Sequence, residues 1–326
     1  MQGLALLAET EGFPREVYEL FEEARAEDPG FAAAHVRASL FWTLELQPAL
    51  VRPDYIQEDR SFDESRSFFN ERIRLAISNS TGPEQFRHRA LEAYVNLNYR
   101  SAYDFARQYF EERPNIITAD IDDIFIVRLA YYLGDTENAL AYLDKILGMV
   151  NTPTHAMFIM TNYWGIHQFE RGHSYVRQAI DRFPFDNKLI YQGHRLLLWG
   201  GYYDEARQLM ANHNGTDDSG GDPRLMQLRQ YCADQDLDNA NRVYGDLMSD
   251  DNLNIPRRWL AMNIMGHVEE AADLLRPLDL ENTLYPLASF MTYPNFDITQ
   301  YPNLQDVMAR EGVSITYEPI PFACNR

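Results

Sequence analysis

The chain has 326 residues, 45% of them hydrophobic and 13% aromatic. That is enough apolar material for a large core or a stack of repeats, and it excludes general disorder. Acidic residues outnumber basic ones 49 to 29, a formal charge of -20, so the basic face that direct DNA or RNA binding requires is not expected. No run reaches the roughly 18 to 20 uncharged apolar residues of a membrane span, and no basic-then-apolar signal segment follows Met1. The two cysteines, Cys232 and Cys324, are too few for a disulfide scaffold or a cysteine-based zinc site.

In chain order, the first element is the stretch VYELFEEARAEDPGFAAAHVRASLFW. Phe21, Ala24 and Pro29 have the spacing of the second helix of a helix hairpin, followed by the first helix of the next. The preceding QGLALLAE would be a truncated partner helix. It lacks the polar outer face of a terminal cap, so the chain reads as the C-terminal part of something longer. After Phe41-Trp42 an insertion near 46–63 exceeds the repeat period by about 17 residues. A helix through Phe68, Ile73 and Ala76 follows, and Tyr99, Ala102 and Pro114 then outline a further unit.

Beyond it, four segments share one phrase: a bulky run, a turn residue, then a small residue five positions on. They are YYLGDTENALAYL (Gly134, Ala139), LWGGYYDEARQLM (Gly201, Ala206), CADQDLDNANRVY (Gln235, Ala240) and NIMGHVEEAADLL (Gly266, Ala271). The alanines are 67, 34 and 31 residues apart. Gly172 falls 33 after Ala139 and 34 before Ala206, so a degenerate copy fills the wide interval. Each unit has helical periodicity in two pieces around a short turn, the pattern of a tetratricopeptide repeat. The physical demands explain the residue types. The small residue lets two helices approach, the turn glycine accepts a backbone conformation costly to other residues, and Pro29, Pro114 and Pro184 end second helices. A loop near 212–222 (HNGTDDSGGDP) lacks the acidic spacing and closing Glu of a calcium loop.

From residue 280 the pattern changes. ENTLYPLASFM reads as a short helix, YPNFDITQYPN as a proline-punctuated turn, LQDVMAREG as a helix and VSITYEPIPFACNR as an extended end. Leu284, Phe290, Phe296 and Tyr301 would be exposed unless this tail covers a repeat. The expected architecture is therefore all-α. It is a right-handed superhelical solenoid of about seven to eight hairpins over residues 1–279, closed by a helical and extended cap over 280–326.

Motifs for catalysis are absent: there is no nucleophile elbow, phosphate-binding loop or dinucleotide fingerprint. His167, Glu170 and His173 in HQFERGH are three apart and would share a helical face, but neither HExxH nor a further ligand cluster accompanies them, so they read as packing or surface residues. Neither enzyme activity nor a metal or cofactor is expected. The cysteines admit two readings. The simpler is two independently buried thiols; the other is a disulfide, if the tail folds back in an oxidising compartment.

Arginine placement carries the most information. Arg128, Arg195 and Arg229 each precede the small alanine of their own repeat by eleven residues, so they occupy one site on three first helices. In stacked hairpins the first helices line the concave surface. The candidate partner-binding set is Arg128, Arg195 and Arg229 with Tyr131, Lys188 and Tyr191, and Arg87 as an extension. Such a track would take carboxylates bidentately from an acidic peptide or a chain terminus. Alternatively, each arginine pairs with an acid on an adjacent helix.

The two ends of the chain, QGLALLAETEGFPREVYELFEEARAEDPGFAAAH and MTYPNFDITQYPNLQDVMAREGVSITYEPIPFAC, resemble the C-terminal repeat regions of bacterial membrane-anchored regulators. The more specific part is Tyr293-Pro294-x-Phe296-Asp297, Tyr301-Pro302-Asn303 and Cys324. In that group a winged-helix or class III adenylate cyclase module precedes one membrane span and the repeat region. The resemblance implies a sensory or interaction region, periplasmic in location, and transfers no catalytic residue. The expectation is thus a non-catalytic scaffold binding a protein or peptide within a signalling or transcription-regulatory protein. The alternative is an intramolecular or dimerisation region that controls an N-terminal output domain.

Overall fold

The computed structural model describes residues 15–45, 61–112, 125–148, 150–184, 186–212, 222–280, 283–314, 319–320 and 324. Within them every regular element is helical. The chain divides into two compact units. One comprises Met1–Ile116, Leu280–Pro286 and Asp306–Val313; the other comprises Ile117–Asp279, Leu287–Gln305 and Ser314–Arg326. The C-terminal region therefore contributes to both.

The first unit contains α1 (Arg15–Glu27), α2 (Ala32–Glu45), α3 (Phe62–Asn79), α4 (Pro83–Val95) and α5 (Tyr99–Glu112), each packed on the next. Its core joins Val36 of α2, Phe69, Ile73 and Ala76 of α3, and Leu91 and Val95 of α4. The helix expected through Phe68, Ile73 and Ala76 is α3. It starts on a capping box in which the Ser61 hydroxyl accepts from the Glu64 amide while the Glu64 carboxylate accepts from the Ser61 amide. Most of the insertion near 46–63, like Pro114 and the loop 213–221, lies outside the described residues.

Among the described residues the second unit holds five helix pairs: α6 (Phe125–Tyr132) with α7 (Thr136–Leu147), α8 (Pro153–Gly165) with α9 (Phe169–Arg182), α10 (Asn187–Trp199) with α11 (Tyr203–Ala211), α12 (Pro223–Ala233) with α13 (Leu237–Met248), and α14 (Ile255–Met265) with α15 (Val268–Leu275). The first helices touch in sequence, α6 on α8, α8 on α10, α10 on α12 and α12 on α14.

One turn is repeated six times. Leu97, Gly134, His167, Gly201, Gln235 and Gly266 all have positive φ, from 56° to 88°. In every case the amide after the turn residue bonds back to a carbonyl five positions earlier, at 2.8 to 2.9 Å. This left-handed cap satisfies the orphan carbonyls at the end of a first helix and aims the chain into the second. Five residues after each turn stands a small side chain with almost no exposure: Ala102, Ala139, Ala206, Ala240 and Ala271. At the sixth copy, Gly172, even a Cβ would come within 2.8 Å of Leu196 Cδ2 and 3.0 Å of Tyr163 Cβ. Pro29 and Pro184 follow the ends of α1 and α9.

The C-terminal region continues with α16 (Leu284–Ala288), 3-10 turns at Ser289–Thr292 and Ile298–Gln300, and α17 (Pro302–Arg310). Leu284, Phe290, Phe296 and Tyr301 are all buried, as their apolar character requires. Asp279 receives the amides of Asn303 at 3.1 Å and Leu304 at 2.9 Å, a buried carboxylate compensating the positive end of α17. Most of the expected extended end, 315–326, lies outside the described residues. Residue 324 does not: the structure joins Cys324 to Cys232 in a disulfide, so of the two readings of the cysteines it takes the pair.

Candidate first-helix binding face

The tail lies against the first-helix positions that carry the predicted arginines. Arg128 projects from α6 half-buried, and its Nη1 donates to Thr292 Oγ1 at 2.8 Å while its Nε donates to Asn162 Oδ1 of α8 at 3.3 Å. Thr292 also borders Gly165, where a built Cβ would lie 3.5 Å from the threonine methyl and carbonyl. Trp164 stacks on Tyr293 with centroids 6.3 Å apart. Trp259 of α14 meets Phe290 at 5.0 Å, Tyr293 at 5.5 Å and Phe296 at 6.3 Å. Phe296 in turn lies flat on Tyr301 at 5.1 Å, and Asp297 closes the intervening turn by accepting from the Thr299 amide and hydroxyl. The residues of the Tyr293–Asn303 motif thus anchor the tail to itself, to Asp279 and to three first helices.

This placement changes the surroundings of the predicted residues. Arg195 is 4% exposed, Arg229 2% and Tyr191 2%, so these three do not line an open groove. Arg195 has its guanidinium carbon 4.9 Å from the Trp164 ring, 5.2 Å from Tyr191 and 5.5 Å from Tyr293, and its Nη2 donates to the Tyr191 hydroxyl at 3.3 Å. Arg229 lies over the other part of the same arrangement, 4.8 Å from the Tyr191 ring. Burial pushes the Arg229 guanidinium down to about 9, and the neighbouring Arg195 charge adds to the effect. Tyr131 and Lys188 are half-buried; Tyr131 stacks on His167 at 6.2 Å. Arg87 lies on α4 in the first unit, 3.7 Å from Glu84 Oε2.

The acid-pairing alternative describes a different set of arginines. Arg171 bonds Asp144 at 2.6 Å, Arg177 bonds Glu205 at 2.9 Å and Arg207 bonds Asp234 at 2.6 Å. These pairs link successive hairpins on their exposed side, where each contributes about 0–1 kcal/mol. Neither Arg195 nor Arg229 is ion-paired among the described residues.

Sequence reasoning passed over Trp164 and Thr292. Trp164 stands three residues before its turn residue, as do Tyr131 and Cys232. That is one helical step from the arginine position and so on the same face. The register that aligned the arginines would have flagged it. The HQFERGH residues disperse: His167 occupies the left-handed turn before α9, not a helical face shared with Glu170 and His173. His173 packs against Tyr202 at 3.6 Å and shares Glu205 with Arg177. No helix among the described residues is long and apolar enough to cross a membrane. Comparison with protein-family models and with curated proteins returns no match.

Proposed function

We propose that the chain is a non-catalytic scaffold of tetratricopeptide type, a right-handed superhelical array of hairpins that binds a protein or peptide for a bacterial signalling or transcription-regulatory protein. The observation that carries this reading is the sixfold turn, in which a positive-φ residue stands five positions before a buried small residue. Repetition of that unit, with first helices touching in order, is the design of arrays whose inner face receives partners. The Cys232–Cys324 bond supports an oxidising compartment, in keeping with a periplasmic sensory region.

A second reading draws on the tail. Thr292 and Tyr293 hold Arg128, Trp164 and Arg195, contacts a bound peptide would otherwise supply. The face is then regulated within the chain, and a partner engages it by displacing the tail. Binding of a panel of peptides ending in free acidic carboxylates separates the two. On the displacement reading, Tyr293→Ala tightens binding several-fold, and replacing Arg128, Arg195 and Arg229 together with Met weakens it and flattens its salt dependence. Binding by the wild type that neither change alters would place the partner on another face. Absence of any binding, by wild type or variants, would remove the peptide-binding proposal.

A further inference from the structure

Arg195 and Arg229 present a problem that the scaffold reading leaves unanswered. Two guanidinium groups from adjacent first helices lie against one tyrosine ring, both more than nine-tenths buried. The ionisable neighbours acting on Arg229 are Tyr191, Arg195 and Tyr293, with no carboxylate among them. Nε and Nη2 of Arg229, Nε of Arg195 and Nε1 of Trp164 are buried without a hydrogen-bond partner. Even pushed down to about 9, the Arg229 guanidinium stays protonated at neutral pH, so titration does not relieve the charge there. Ring faces compensate a buried cation only in part, and two like charges in the same interior repel. A buried cation is tolerated when it is paired and its donors are met; here neither arginine is paired with a carboxylate among the described residues, and the Tyr191 hydroxyl meets their donors only in part.

We infer that Arg195 and Arg229, with the Trp164 indole N–H, form a buried receptor for a small oxyanion of the phosphate or carboxylate type, enclosed beneath the tail at Tyr293. Arg229 leaves Nε and Nη2 unmet, the pair of donors with which a guanidinium binds such a group bidentately. The summed charge of the two arginines favours a dianion. Tyr293 is only half-buried, so the approach runs past its ring, and the tail that covers the face becomes the closure of the site. The inference is independent of partner binding, since an oxyanion held here stabilises the closed tail whether or not a peptide is ever bound.

The test is thermal unfolding of the full chain, exhaustively dialysed into chloride, with inorganic phosphate or succinate titrated at constant ionic strength. The expected result is a saturable rise of the midpoint with at least one of the two, because a ligand of the native state stabilises it in proportion to the logarithm of its concentration over Kd. Phosphate acting alone identifies a tetrahedral anion, and succinate alone identifies a dicarboxylate. Arg229→Met should abolish the rise. A rise that persists undiminished in Arg229→Met places the anion elsewhere and overturns the assignment. Should that variant fail to fold, Trp164→Phe, which removes the indole N–H donor, takes its place, and a rise that it leaves undiminished likewise overturns the assignment. No midpoint response to either anion also overturns it.

Discussion

Gly172 shows how far one atom matters. It occupies the small-residue position of the degenerate repeat on α9, and its missing Cβ is the space taken by Leu196 and the Tyr163 stem. Alanine normally improves a helix interior by about 1 kcal/mol over glycine. Here the added methyl would meet Tyr163 Cβ at 3.0 Å, and Cβ has no rotamer in which to retreat. We expect Gly172→Ala to lower stability by about 1 kcal/mol net, the overpacking loss exceeding the propensity gain. Ala139→Leu and Ala206→Leu should cost about 1–3 kcal/mol each, since both alanines are fully enclosed. Urea denaturation midpoints check all three, and an unchanged midpoint in both leucine variants would refute the repeat register. These positions were legible in the sequence because close helix approach leaves only Ala or Gly as solutions. The residues that meet Arg195 were less legible. Tyr293 lies almost a hundred positions away, and no local periodicity says where a tail comes to rest.

At the scale of the element, the turn is more constant than the sequence that makes it. Gly134, Gly201 and Gly266 hold positive φ as expected of glycine, yet Leu97, His167 and Gln235 do the same. A non-glycine residue in this region costs roughly 1–2 kcal/mol, so the packing of the two helices overrides the local preference. Each penalty is an opportunity for a clean comparison. Gln235 is exposed, and its Nε2 donates locally to the Cys232 carbonyl at 3.1 Å. Gln235→Gly removes the strain but frees the unfolded chain by about 0.4–1 kcal/mol, so we expect a small net gain of about 0.5 kcal/mol. Gly266→Ala at the equivalent turn should lose about 1 kcal/mol, because alanine acquires the strain that Gln235 already bears. Opposite signs at equivalent positions, read from denaturation curves, are the signature of a shared turn. The same sign at both would mean that the two turns are not equivalent. The degenerate copy was visible only through Gly172, because a histidine marks a left-handed turn far less distinctly than a glycine does.

At the scale of the molecule, the question is what holds the tail on the first-helix face. Thr292 meets Arg128 on α6, Tyr293 meets Trp164 on α8, Phe290 and Phe296 meet Trp259 on α14, and Cys324 is bonded to Cys232 on α12. Apart from the Arg128–Thr292 hydrogen bond, these noncovalent contacts are aromatic, so salt should loosen them little. The covalent one closes a loop whose ends are 92 residues apart in sequence. Restricting the unfolded chain over that length contributes about 4–5 kcal/mol in the chain-entropy model, and native disulfides typically contribute about 2–5 kcal/mol. The disulfide is therefore comparable with the whole net stability of an ordinary domain. Cys324→Ser should lower the denaturation midpoint by an amount in that range, and dithiothreitol should bring the wild type to the same value while leaving the variant unmoved. Thiol titration in denaturant without reductant should find none in the wild type. Two titratable thiols per chain would show that the tail is held by its aromatic contacts alone, and the case for an oxidising compartment would fall with the bond.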